Sequence, residues 1–247
     1  VGQYAAADSD RLADLRAALT DSTVRAIMCS RGGYGAVHLL DSLSALPLEK
    51  DPKWLIGFSD ISALHALLAS RNIASIHGNM CKHMALGPDD EDNRTMLAIL
   101  RGNRPSYDFP ADSLDRCGEA SGRLLGGNLA VIAELIATPY DVIKPGTILF
   151  IEDVDEPIYK TERIMYQLRL NGVLERLAGL IVGQFSGARP NDNYATTQHM
   201  IADMVAPYAY PVAFNVPIGH VDHNVPVIHS AEVRLTVTPE GSRLSFE

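Results

Sequence analysis

Apolar residues along this chain alternate between two rhythms. Leu12, Leu15 and Leu19 recur at helical spacing and predict an amphipathic helix over residues 8–20, with Asp8 or Ser9 as its cap. A short apolar run at 24–29 reads as a strand, and Ser30-Arg-Gly-Gly-Tyr-Gly35 reads as a glycine-rich turn into a helix over 36–46. Trp54-Leu-Ile-Gly-Phe58 is the next strand, and from Ile61 the helical rhythm returns at Leu64, Leu67 and Leu68. Residues 73–77 are strand-like again. Alternation of strand, turn and helix predicts a parallel sheet covered on both faces. In such sheets a ligand sits beyond the C-terminal strand ends, where the Arg31–Gly35 turn and Ser59 both fall.

The pattern changes at Gly87. Residues 87–118 are rich in Asp, Pro, Asn and Arg around one short helix at 95–101, and read as a connector. After them come Gly122-Arg-Leu-Leu-Gly-Gly-Asn-Leu129, a helix to Ile136, the strand Thr147-Ile-Leu-Phe-Ile151, a helix over 158–171 and a strand over 177–182. Further strand-like pieces lie at 212–216, 225–228 and 233–237. The expected organisation is an α/β protein with a Rossmann-like domain over 1–86, a connector over 87–118 and a smaller mixed α/β domain over 119–247.

Composition narrows the function classes. A net charge of −9, with no Lys/Arg cluster, argues against a nucleic-acid partner. No apolar stretch is long enough to span a bilayer. The three cysteines, Cys29, Cys81 and Cys117, are scattered and form no C-x-x-C pair, so reduced thiols in a cytoplasm are expected. The chain opens at Val1 rather than Met, so an upstream segment is expected to be missing.

Ser59 follows a buried strand and Gly57-Phe58, and a helix follows it. Its hydroxyl is therefore expected to project above the sheet end with backbone N–H groups and a helix N-terminus behind it, as in a nucleophile elbow. Ile61 stands where that pattern carries glycine, and a helix N-cap is the alternative role for this serine. A serine nucleophile needs a base, and the base an orienting acid. Among eight histidines, His38, His65 and His199 fall within predicted helices and read as packed or solvated, and His77 ends a strand and could line the site. His220, in Pro217-Ile-Gly-His-Val-Asp-His223, lies in a loop after a strand and is the first choice. Glu152 is the first charge after an apolar strand, so it must find a buried donor such as an imidazole, whereas Asp153, Asp155 and Glu156 read as a solvated turn. The Asp60 N–H is the expected first oxyanion donor, and the Arg31–Gly35 turn can offer a second. His220-x-x-His223 with Asp222 is a competing metal set, weaker because it sits on a loop rather than on an H-E-x-x-H helix.

Arg31-Gly-Gly-Tyr-Gly-Ala36, Gly57-Phe-Ser-Asp60, Gly126-Gly-Asn-Leu129, Phe150-Ile-Glu-Asp153, Tyr159-Lys-Thr-Glu-Arg163 and Gly219-His220, in this order and over nearly the whole chain, strongly resemble the LD-carboxypeptidases, or muramoyltetrapeptide carboxypeptidases. The resemblance implies a Ser–Glu–His triad, which falls on Ser59, Glu152 and His220. It implies a Rossmann-like domain joined to a C-terminal mixed domain with the site in the cleft, and a cytoplasmic, metal-free, cofactor-free enzyme, usually a homodimer. The substrate it implies is a murein tetrapeptide, cut before its terminal D-alanine during cell-wall recycling. The chain departs from the family in lacking its opening strand, Pro-Ser-Gly turn and helix, and in carrying Asn79 where the family often has proline.

On this reading Asp60 and Gly33 hold the oxyanion. Asn128 binds substrate or caps the helix from Leu129. Arg31 or Arg163 takes the substrate carboxylate, with an Arg31–Asp60 pair as the alternative for Arg31. The rivals are a peptide–nucleotide amidase of the microcin type, which tends to carry more sequence between the triad acid and histidine than this chain has, a non-catalytic anion- or peptide-binding module, and a metallohydrolase.

Overall fold

A computed structural model describes residues 6–87 and 89–247. The chain start at Val1 and the Pro88 that opens the acidic stretch lie outside the described residues. In chain order the elements are α1 (Asp8–Thr20), β1 (Ala26–Met28), a 3-10 turn (Ala36–Leu39) running into α2 (Leu40–Ser44), β2 (Trp54–Gly57), a 3-10 turn (Ser59–Ile61) running into α3 (Ser62–Ser70), and β3 (Ser75–His77). There follow α4 (Glu91–Leu100), β4 (Ser106–Pro110), β5 (Gly118–Asn128), α5 (Leu129–Glu134), β6 (Ile148–Val154), α6 (Ile158–Leu170) and β7 (Gly179–Ser186). The chain closes with α7 (Thr197–Val205), β8 (Val212–Ala213), β9 (Val227–His229), β10 (Glu232–Thr238) and β11 (Gly241–Phe246).

The α/β class expected from the sequence is what the chain adopts, in two sheets. The first runs β1–β2–β3–β9; its first three strands are parallel and β9 adds antiparallel to β3. The second runs β4–β11–β10–β5–β6–β7–β8, antiparallel up to β5 and parallel beyond it. Several local readings change. Gly122–Asn128 is the second half of β5: Gly122 and Arg123 pair with β10, and Leu124–Asn128 pair with β6. Residues 87–118 form α4 and β4, and β4 pairs with β11 at the edge of the second sheet. The helix expected over 36–46 begins as a 3-10 turn, and α1 starts after Ala7 with no side-chain cap.

The core has three parts. One lies between the two sheets and joins Ile56, Ile76 and Val227 to Phe150, Ile181 and Leu235. Another packs α2 and α3 on the outer face of the first sheet, with Leu12, Leu15 and Leu19 of α1 against it. The third packs α6 and α7 on the second sheet, through Leu149, Ile151, Leu168 and Met204. Successive residues of a strand face opposite ways, so β6 sends Ile148 and Phe150 into the first cluster and Leu149 and Ile151 into the third. Glu152, two residues past Phe150, therefore faces the first sheet, and Asp153 faces α5.

Three histidines are sealed in this interior. His65, His77 and His229 are at most 1% exposed. His65 Nε2 donates to the Gly57 carbonyl at 2.9 Å while its Nδ1 lies 2.8 Å from Ser75 Oγ. The ring of His229 stacks on that of His65, and its Nε2 accepts from the Gly126 N–H. His77, which the sequence suggested could line the site, is instead fully buried between Phe58 and Phe150, and neither ring nitrogen has a partner among the described residues. Burial pushes His65 down to about 4 and His77 and His229 well below their ordinary value.

A histidine held neutral this way makes stability depend on pH. From about pH 6.5 down to about pH 4 the unfolded chain takes up a proton that the folded core refuses, so stability falls as the pH drops, by up to roughly 1.4 kcal/mol per pH unit for each such group. Buried carboxylates held above their ordinary range, such as Glu152 and Asp153, act with the opposite sign. His77→Phe isolates one histidine and keeps the aromatic contacts. Its loss of Tm between pH 7.5 and 5 is expected to be about 5 °C smaller than that of the unaltered chain. Thermal melts at the two pH values check this, and identical losses count against it.

Candidate active site

β2 ends at Gly57, and the chain turns sharply through Phe58 and Ser59 into α3. Ser59 has φ +68°, a left-handed conformation that costs a non-glycine residue about 1 kcal/mol or more. Strain at this place lifts the hydroxyl away from the helix. Ser59 Oγ lies 3.0 Å from His220 Nε2. His220 Nδ1 lies 2.7 Å from Glu152 Oε2. The structure thus brings the serine, histidine and glutamate named from the sequence into one hydrogen-bonded chain. The Phe58 ring meets the His220 ring edge-on at 4.9 Å and walls one side of it.

Glu152 reaches this position through an irregularity in the sheet. In the β6–β7 pairing Ile151 lies opposite Val182 and Asp153 opposite Phe185, so Gly183 and Gln184 together oppose the single Glu152. Such a bulge re-aims a side chain and bends the strand. The Gln184 N–H, freed from the ladder, donates to Ile218 O at 2.9 Å and ties the histidine loop to the bulge. Gly219 sits above Glu152 with φ +124°, and an added Cβ would lie 2.7 Å from Glu152 Oε2, so only glycine fits there. Glu152 is fully buried, and burial raises its pKa, while the His220 imidazole and the nearby Asn128 amide pull it back.

The other candidates separate. Asp60 is buried and accepts the Ala36 N–H at 3.0 Å, which pins the glycine-rich turn beside Ser59; burial raises its carboxyl and that N–H partly restores it. Arg31 is exposed and donates to the carbonyl of Gly32, so Asp60 is held by backbone rather than by the guanidinium. Gly33 has φ +133° and lies next to the Arg31 side chain. Asn128 is the N-cap of α5: its Oδ1 accepts the Val131 N–H at 3.3 Å and its Nδ2 donates to Asp153 Oδ1 at 2.9 Å. Asp153 is buried and also accepts from the Ala130 N–H, in place of the solvated turn expected for it. Arg163 lies over the Tyr159 ring in a separate depression on α6, lined by Glu162, Tyr166 and Leu170. His223, read as a metal candidate with His220, turns its Nδ1 to Asp92. Among the described residues no group of three or more His, Cys, Asp or Glu could hold a metal ion.

Gly32 is the residue that sequence reasoning passed over. An added Cβ there would lie 2.8 Å from Ser59 Cβ and 3.0 Å from Ser59 Oγ. Gly32→Ala is expected to displace the hydroxyl and lower kcat on the order of 10–100-fold with little loss of Tm. A kcat within twofold of the unaltered chain, in folded protein, would show that the turn yields without moving Ser59.

Comparison with known proteins places these residues in context. Residues 1–78 match the LD-carboxypeptidase N-terminal domain and residues 121–235 the LD-carboxypeptidase C-terminal domain. A putative carboxypeptidase of Synechocystis sp. is 33% identical, over 94% of this chain and 77% of its own length. The murein tetrapeptide carboxypeptidase of Pseudomonas aeruginosa is 30% identical, over 96% of this chain and 79% of its own. The crystal structure of muramoyltetrapeptide carboxypeptidase from Oxalobacter formigenes superposes with a TM-score of 0.88 at 26% identity, covering 100% of this chain and 85% of that one.

Proposed function

The chain belongs to the LD-carboxypeptidase family, and from that premise we propose that it is a serine carboxypeptidase which removes the terminal D-alanine of murein tetrapeptides through Ser59, His220 and Glu152. The observation that carries the reading is the hydrogen-bonded chain from Ser59 Oγ through both His220 nitrogens to the buried Glu152, set on a strained turn.

Glu152 accepts the Nδ1 proton of His220 and so leaves Nε2 unprotonated toward Ser59. Nε2 takes the hydroxyl proton as Oγ attacks the carbonyl carbon before D-alanine. The Asp60 N–H and a glycine N–H of the Arg31–Gly35 turn, assigned to Gly33, face the developing oxyanion. His220 then returns the proton to the departing amine, which leaves as D-alanine. Water, deprotonated by the same imidazole, cleaves the acyl-enzyme and frees Ser59. The exposed Arg31 beside this turn is the better placed cation for the substrate carboxylate; Arg163 belongs to the α6 depression. Asn128 acts on the site from behind, through α5 and Asp153. The reading puts the reaction in the cytoplasm, on soluble muropeptides, in a homodimer. Among the described residues no helix is long and apolar enough to cross a membrane.

Incubation with purified murein tri-, tetra- and pentapeptides, followed by mass spectrometry, tests the proposal. Loss of one D-alanine from the tetrapeptide alone is the expected result. Cleavage of a peptide–nucleotide conjugate in its place would move the chain to the microcin-type reaction. No turnover and no labelling by a fluorophosphonate would leave a binding module.

A further inference from the structure

His220 has to hold two hydrogen bonds at once, and its loop has little regular structure of its own. A carboxylate outside the Ser59–His220–Glu152 chain fixes that loop. Asp92 is the second residue of α4 and is 3% exposed. Its oxygens lie 3.0 and 3.1 Å from His223 Nδ1, and Oδ2 also accepts the Asn224 N–H at 2.9 Å. Asn224, 1% exposed, turns its side-chain Oδ1 back to accept the Gly219 N–H at 2.9 Å. Gly219 packs on Glu152 and directly precedes His220. Val225 N–H closes the loop onto Pro217 O at 2.9 Å, and the Tyr107 hydroxyl of β4 holds Pro226 O. A buried carboxylate is costly unless it is paired and hydrogen-bonded, and Asp92 has both its imidazole partner and the positive end of α4.

We propose that Asp92 is a positioning residue for the reaction: through Asn224 and Gly219 it sets the height of His220 between Glu152 and Ser59. The inference rests on the serine-hydrolase reading above. It also gives α4 a part in the site, since this helix supplies the anchor for the loop that carries the base. Gly219 cannot move toward Glu152, and Asn224 stops it from moving away, so the imidazole is constrained from both sides.

The test uses a small fluorophosphonate, whose reaction at Ser59 needs the base and no recognition of a muropeptide. Asp92→Ala is expected to lower the labelling rate and kcat together, on the order of 10–100-fold, with KM unchanged, because a displacement of about 1 Å is enough for such a loss. Asp92→Asn keeps an acceptor for the Asn224 N–H and is expected to restore most of the rate. If Asp92→Ala does not fold, Asn224→Ala serves in its place, since it removes only the acceptor for Gly219, and the same loss is expected. Folded Asp92→Ala or Asn224→Ala that is labelled at the unaltered rate overturns the inference alone. A loss that Asp92→Asn does not repair, or one confined to KM, overturns it as well. Absence of labelling in the unaltered chain overturns the serine-hydrolase reading and this inference with it.

Discussion

Ser59→Ala is expected to leave a folded protein whose kcat on murein tetrapeptide is lower by roughly four to six orders of magnitude. The size of the loss follows from how the site is built. His220 Nε2 has one partner to serve, Ser59 Oγ at 3.0 Å, and without it the Glu152–His220 pair has nothing to activate. Stability should hardly change. Alanine at φ +68° bears the same left-handed strain as serine, and the hydroxyl it removes is turned to His220 rather than to the start of α3. Circular dichroism and a thermal melt establish the fold, and D-alanine release measures the rate. A folded variant with near-normal turnover would refute the covalent mechanism.

Glu152→Gln should separate activity from stability in opposite directions. Gln is nearly isosteric, and its carbonyl can still accept from His220 Nδ1. Its amide can also hold the wrong tautomer, and it offers no charge to the imidazolium that forms when Ser59 is deprotonated. A fall in kcat of roughly three to four orders of magnitude is expected. Burial holds the Glu152 carboxyl above its ordinary range, so the folded state binds its proton more tightly than the unfolded chain does. Stability linked to this group is present below the ordinary glutamate range and is lost as the pH rises through the folded value. Gln escapes that loss. The variant should therefore be more stable than the unaltered chain at pH 8 and should lose this advantage near pH 4. Urea melts at the two pH values measure it. An unchanged kcat would show that Glu152 is not the orienting acid, and an advantage that persists at pH 4 would show that its charge is not what burial disfavours.

Much of this site was legible because it is written in local patterns. The apolar run before Ser59 and the helical rhythm after it require a sharp turn between them. The alternation along β6 distinguishes Glu152 from Asp153 once one face is known. His220 could be chosen because a loop after a strand is a place where a side chain can swing toward a neighbour. What was not legible depends on pairing over long distances. Nothing near Glu152 announces that Gly183 and Gln184 oppose it as a bulge, since register is set by the whole sheet. Asp92 looked like one acid among several in a polar stretch, and only folding brings it to Asn224. That Gly126 and Gly127 lie in a strand was not legible either, because glycine is rare in strands; here they pair with Phe150 and Ile151 of β6.

β9 is a late arrival in the sheet that carries the nucleophile turn. It pairs with β3, so Ser75 lies opposite His229 and His77 opposite Val227. During synthesis the ribosome will have released β1, β2 and β3 long before the strand that covers the outer edge of β3 exists. Until then that edge keeps unpaired N–H and C=O groups, an open template for another chain. His220 emerges from the ribosome just ahead of the same strand, so it and the covering strand arrive together. On the proposed mechanism, the nascent chain thus carries its nucleophile without its base until the strand that completes the sheet beside it has also been made.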